Sequence, residues 1–162
     1  MTLRHAYAHD LAALDEMLAR CTVRTTSLRF NVPMPRLPRT YADSIARRQG
    51  EHVVAEVDGS IVGLASCVDG ELAVLVEDAW QGRGIGTRLL DELAARTDLS
   101  QLAADVSYGN PRALRMLKRL GRTHVSAGPD GYRLVMQLAT LPPCSTALTT
   151  RRTARSPALS SS

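Results

Sequence analysis

Two Asp-Gly pairs, Asp58-Gly59 and Asp69-Gly70, separate short runs rich in Val, Ile and Ala, and they constrain this chain more than any other feature. A two-residue Asp-Gly link between β-rich runs selects a tight hairpin, because its left-handed backbone matches the twist of the flanking strands. Residues 52–57, 60–68 and 71–76 are therefore predicted to form a three-stranded antiparallel meander. The third run, Glu71-Leu-Ala-Val-Leu-Val76, leads into the glycine-rich stretch Gln81-Gly-Arg-Gly-Ile-Gly86. From Gly86 to about Thr97, Leu89, Leu90, Leu93 and Ala94 fall on one helical face. A meander that passes through a glycine-rich turn into a helix is an α/β arrangement.

The remaining chain extends this layout. Thr2 to Ala6 reads as a short strand, and Asp10 stands as N-cap before Leu11, Leu14, Met17 and Leu18 at helical spacing. Residues 22–39 lose periodicity and contain Pro33, Pro35 and Pro38, which predicts a long irregular connection ahead of a helix over about 40–49. A strand over 102–106 follows. Asn110-Pro111 then supplies cap and first turn of a helix ending at Gly121, with Leu114, Leu117 and Leu120 inward. Residues 123–127 and 132–138 flank Gly-Pro-Asp-Gly and predict a last hairpin. Beyond residue 140 the chain is rich in Thr, Ser, Pro and Arg without periodicity, so one domain over 1–140 and a disordered tail over 141–162 are expected.

Composition removes several function classes. Aromatic residues are 4% of the chain, too few for a platform that stacks single-stranded nucleic acid. The net charge of +4 owes much to Arg151, Arg152 and Arg155 in the tail, where no acidic residue occurs, so the domain itself is close to neutral. No nucleic-acid face is expected. Cys21, Cys67 and Cys144 lie far apart without a Cys-x-x-Cys pair, and the four His residues show no ligand spacing beyond the His5/His9 pair, which straddles a strand end and turn, so neither a disulfide framework nor a metal site is expected. The N-terminal segment carries charges from residue 4 onward and no apolar core, which predicts no membrane partner and a cytoplasmic, reducing location.

The chemistry sits in the glycine-rich turn. Glycines let consecutive N–H groups converge at a helix start, which carries about half a positive charge, and Arg83 adds a cation; a pyrophosphate is well met there. Thr87 stands where a dinucleotide fingerprint needs its third glycine, and a Walker loop is excluded because no Gly-Lys-Ser/Thr occurs. Gln81-x-x-Gly84-x-Gly86 after a strand ending in Val76 resembles the acetyl-CoA loop of the GNAT N-acetyltransferases, and the element order over about residues 2–138 is similar to that family's. The resemblance implies a GNAT fold: a mixed, mostly antiparallel sheet with about four flanking helices, splayed between the strands of Val76 and Val106. It implies acetyl-CoA as cofactor, paired with the strand at Val74, Leu75 and Val76. Loop groups of Gly82, Arg83, Gly84, Ile85, Gly86 and Thr87 would hold the pyrophosphate beside Gln81, and Asn110 would touch the cofactor as well as cap its helix.

The implied reaction moves an acetyl group to a primary amine, on a protein lysine or a small molecule, by direct attack in a ternary complex. A non-catalytic CoA-binding regulatory module is the alternative. An amine with pKa near 10.4 is mostly ammonium at pH 7, so a positioned base is needed. The Glu71-x-Ala-Val-Leu-Val76 spacing resembles the bacterial Pat-type protein-lysine acetyltransferases, which makes Glu71 the first candidate base. Asp105, five residues before Asn110, matches the base position of ribosomal-protein N-terminal acetyltransferases and ranks second. Where many GNAT enzymes carry a Tyr acid, seven residues after the Asn, this chain has Leu117; Ser107 and Tyr108 are the nearby substitutes. Ser27-Leu-Arg29-Phe30 is similar to the acceptor region of the Pat-type branch and marks Arg29 and Phe30 as substrate-binding candidates.

Overall fold

Asp58 and Asp69 adopt left-handed backbone with φ 49° and 51°, and the glycine after each follows suit at 77° and 82°. Both hairpins therefore close as two-residue turns, and the meander forms with β2 (Glu51–Val57), β3 (Ser60–Val68) and β4 (Glu71–Val76). A computed structural model describes residues 1–138; the tail expected at 141–162 and the boundary at 140 lie outside the described residues. Ahead of the meander come β1 (Thr2–His5), α1 (Leu11–Arg20), α2 (Val23–Phe30) and α3 (Arg39–Ala46). After it come α4 (Ile85–Arg96), β5 (Gln101–Ser107), α5 (Pro111–Leu117), β6 (Arg122–Ala127) and β7 (Gly131–Gln137).

The seven strands form one sheet in the order β1-β2-β3-β4-β5-β7-β6. Every neighbouring pair is antiparallel except β4 and β5, which run parallel. Strand alternation divides the apolar side chains between two faces. On one face Leu89, Leu90 and Leu93 of α4 and Leu117 of α5 pack against Val53, Ala65, Leu72, Leu102 and Leu134. On the other, Leu14, Met17 and Leu18 of α1 and Ile45 of α3 pack against Val54, Leu64 and Leu75. Each fully buried Leu contributes about 1.5–3 kcal/mol, enough for two thin layers to hold the sheet between them.

Two local expectations give way to tertiary contacts. Asp10 precedes α1 but caps nothing there. Its carboxylate is taken by the Arg4 guanidinium at 2.8 and 2.9 Å and by the Tyr7 N–H at 2.8 Å, in the short 3-10 turn before the helix. The stretch expected to be irregular from 22 to 39 contains a fifth helix, α2, and only residues 31–38 are irregular. Thr26 is the one buried residue of α2, while Val23 is 68% exposed, so the helix carries no apolar stripe to announce it. It is held by its N-terminus instead: the Asp78 carboxylate accepts hydrogen bonds from the Thr22 N–H and hydroxyl and from the Thr25 hydroxyl at 2.7–2.9 Å.

Candidate active site

β4 and β5 share a single register pair, Glu71 with Ala103, and diverge from there toward their C-terminal ends. The divergence leaves an unladdered edge on β4. The Glu77 N–H bonds to Val62 of β3, so the alternation of an antiparallel strand turns the N–H and C=O groups of Val74 and Val76 away from β3, toward the gap. Two cavities of ≈ 530 and ≈ 390 Å³ fill the gap and join along Leu28, Arg29, Val74, Asn110 and Ala113.

The smaller cavity is a backbone cradle. Gly82 and Gly84 adopt φ 77° and 78°, and left-handed Gly84 is the N-cap residue of α4, so the chain turns sharply from loop to helix. The N–H groups of the first helical turn have no intrahelical partners and gather at this end. Gly86 lets α5 approach, since a Cβ there would lie 3.0 Å from the Met116 Sδ and 3.6 Å from the Val76 side chain. Gln81, Gly82, Gly84, Gly86, Thr87, Val74, Leu75, Val76 and Asn110 all line the cavity.

Other expected cofactor residues are placed elsewhere. The Arg83 guanidinium stacks on the Trp80 ring at 4.7 Å, and Ile85 buries its side chain in the core, so neither lines the cradle. Leu75 reaches the cavity wall, but the alternation that opens Val74 and Val76 to the gap points its backbone groups to β3. The Gln81 amide donates to the Val76 carbonyl at 3.0 Å and to the Thr25 hydroxyl at 3.3 Å, bracing the loop to β4 and to α2. The Asn110 side chain accepts the Ala113 N–H at 3.1 Å while lining both cavities, so the cap predicted from sequence is formed at the cleft itself. Two cations line the cradle: Arg29, at the junction with the larger cavity, and Arg112, which the sequence reading missed. Its only signal was its place in the turn after Asn110-Pro111, and nothing local says which way that helix faces.

The larger cavity is built of side chains. Glu71 from β4 and Asp105 from β5 meet there, joined by Arg133 from β7. Arg133 bonds both Glu71 oxygens, at 2.7 Å from Nη1 to Oε2 and with Nη2 on Oε1, and reaches Asp105 Oδ2 from Nη1 at 3.1 Å. The hydrogen bonds it donates to Glu71, more than the burial that opposes them, keep this guanidinium firmly protonated. Arg29 and Phe30 line the opposite wall, the guanidinium lying 4.7 and 4.8 Å from the Phe30 and Tyr41 ring centres. Leu117 forms the floor. Tyr132, unremarked in the sequence, lines the same cavity, its ring edge-on to Tyr108 at 4.8 Å. Tyr108 donates its hydroxyl to the Gly128 carbonyl at 2.5 Å and so spends its proton on the hairpin.

Asp78 fixes the wall formed by α2. Burial pushes its carboxyl up, but the Thr22 and Thr25 hydrogen bonds outweigh that and hold it below the ordinary range. Thr25 touches Asp78 and Gln81 together, so α2 is tied to the turn that follows β4.

The comparisons agree with this geometry. The Acetyltransferase (GNAT) family model matches residues 11–121. The GNAT domain of S. lividans PAT superposes with TM-score 0.73 at 22% identity over 84% of this chain and 89% of that one. The yncA putative acetyltransferase from Salmonella typhimurium, solved with acetyl-CoA, gives 0.65 at 23% over 89% and 99%. Diaminobutyrate acetyltransferase EctA from Paenibacillus lautus, solved with L-2,4-diaminobutyric acid and coenzyme A, gives 0.64 at 18% over 84% and 93%. No curated protein sequence matches the chain. A glycine cradle facing an unladdered strand edge, on a chain whose sequence the family model covers from the start of α1 to beyond α5, makes this protein a member of the GNAT family and an acetyl-CoA-dependent N-acetyltransferase.

Proposed function

We propose that the acceptor is an exposed primary amine, such as a lysine side chain on a protein, that enters through the larger cavity and is deprotonated at Glu71. The observation that carries this reading is the union of the two cavities at Val74 and Asn110, with the backbone cradle at one end and two carboxylates at the other. Bound acetyl-CoA supplies the activated acyl carbon. The chain supplies the rest. The N–H and C=O groups of Val74 and the N–H of Val76, which face the gap, would pair with the cofactor's amide-bearing arm, and the cradle of Gly82, Gly84, Gly86 and Thr87 with Arg112 would meet its phosphates. The side chains of Glu71 and Asp105 are 53% and 73% exposed, which suits an ammonium arriving on a long side chain from outside. Together they draw the ammonium in, and Glu71 takes its proton, directly or through a water. The neutral nitrogen bonds to the acyl carbon as the carbon–sulfur bond breaks, and the thiolate leaves as a good leaving group that needs little acid help. That accounts for Leu117 where an acid would stand. Cys21 and Cys67 are free thiols whose pKa values burial pushes up, Cys21 to about 11, which suits direct attack without a Cys nucleophile.

The test is Glu71→Gln, which keeps size and hydrogen bonding but cannot accept a proton. Turnover with a lysine-bearing acceptor at pH 7 should fall at least tenfold while acetyl-CoA affinity stays within twofold, and the deficit should shrink toward pH 10, where the amine is already neutral. Full turnover in Glu71→Gln together with its loss in folded Asp105→Asn would move the base to Asp105.

A further inference from the structure

The three-residue cluster in the larger cavity has an order that its stability value does not explain. Exposed ion pairs contribute little to folding. Arg133, at 38% side-chain exposure, nevertheless spans two strand spacings to reach Glu71. The strand between them presents Ala103 level with Glu71, a methyl that leaves the diagonal open, and places Asp105 directly opposite Arg133. The planar fork then engages both Glu71 oxygens and leaves an Nη1 proton for Asp105.

We propose that Arg133 is the positioning residue of the acetyl transfer, gripping Glu71 across β5 so that its carboxylate is held at the mouth through which the amine enters. The proposal rests on Glu71 being the base. Three features carry it. Glu71 opens its strand after the Asp69-Gly70 turn, where a long exposed side chain would otherwise spread over several rotamers. Arg133 selects one. The fork occupies one lone pair on each oxygen and leaves the other on each to receive the proton of the amine. The grip also lies at the one laddered pair of β4 and β5, beside the bond from the Ala103 N–H to the Gly70 carbonyl at 2.8 Å, so the closed end of the splay is clasped where the carboxylate must not move. Lys at 133 would bring charge but no fork, and Gln would bring neither.

The experiment compares Arg133→Gln, Arg133→Lys, Glu71→Gln and the double variant in the full chain, using poly-L-lysine as acceptor and thiol release as readout. Arg133→Gln should lower kcat at least tenfold with the KM for acetyl-CoA within twofold and Tm nearly unchanged. Arg133→Lys should recover part of that loss, and the double variant should be no slower than Glu71→Gln alone. Hydrogen exchange at the Ala103 N–H reads the clasp without turnover and should quicken at least fivefold in Arg133→Gln. If Glu71→Gln is slow but Arg133→Gln is fully active, the base reading stands and the positioning role is overturned. If Arg133→Gln is slow while Glu71→Gln is fully active, or if the two losses multiply, Arg133 does not act through Glu71 and the proposal fails. A faster Arg133→Gln with a lowered amine KM would also overturn it, since the guanidinium would then be blocking the acceptor. Should the parent enzyme not turn over poly-L-lysine, unchanged Ala103 exchange in Arg133→Gln overturns the proposal and quickened exchange supports it.

Discussion

The two ends of the cleft are made of different materials. The cradle end is backbone: an open strand edge at Val74 and Val76, left-handed Gly82 and Gly84, and the start of α4, all within one short run of chain. The other end, where we propose the acceptor enters, is side chains, brought together from α2, β4, β5 and β7. The cofactor does not vary, so a site made of N–H and C=O groups serves it and tolerates any side chain that leaves the conformation alone. The acceptor does vary between enzymes of one fold, and a surface of side chains from separate elements can be altered one residue at a time.

The sharpest way to break this contrast is to change conformation at the cradle. Gly84→Val places a β-branched residue at φ 78°, a strain of about 2 kcal/mol, while its Cβ meets nothing within 4 Å. Acetyl-CoA binding measured by calorimetry should weaken about thirtyfold. At Gly86 the Cβ of Ala would press on the flexible Met116 Sδ at 3.0 Å, and the loss should be nearer threefold. The reverse ranking would mean that the cradle works by packing rather than by backbone shape.

A smaller effect tests whether the ends are separable. Asp78→Ala removes the acceptor of three hydrogen bonds from Thr22 and Thr25 and loosens α2, which carries Arg29 and Phe30. The amine KM should rise about fivefold and acetyl-CoA affinity should change less than twofold. Equal losses at both ends would show that the Gln81–Thr25 bond makes them one unit.

The smallest effect sets the cleft against the scaffold. His52 of β2 is buried, with Nδ1 2.9 Å from the hydroxyl of Ser66, its partner on β3, and Nε2 3.0 Å from the Gln49 carbonyl. Burial, more than any opposing contact, lowers its pKa. As pH falls below about 6.5 the unfolded chain takes up a proton that the folded chain refuses, so stability present at pH 7 is lost downward from there, by at most about 1.4 kcal/mol per pH unit. His52→Gln should flatten the dependence of Tm on pH between 6.5 and 5 and leave acetyl-CoA affinity as it was. An unchanged slope would assign the acid sensitivity to other groups.

What the chain determines by itself is what neighbouring residues decide among themselves. The Asp-Gly turns dictate the meander, the periodic leucines dictate α4, and Asn110-Pro111 starts α5, because turn chemistry, helical spacing and capping act within four residues. The cradle was legible for the same reason. The acceptor end was legible only in pieces: Glu71 and Asp105 stood out separately, and nothing local showed that they meet or that Arg133, 62 and 28 residues away, holds both. Alternation of Leu134 and Met136 into the core does turn Arg133 to the other face, yet only the strand order β4-β5-β7 brings it to Glu71. The same holds for α2, whose start Asp78 anchors from beyond β4 through Thr22 and Thr25, and for Asp10, whose carboxylate Arg4 takes before the helix can use it. Tertiary structure decided these places because a charged or hydrogen-bonding side chain carries no information about its partner until the fold has set the distance between them.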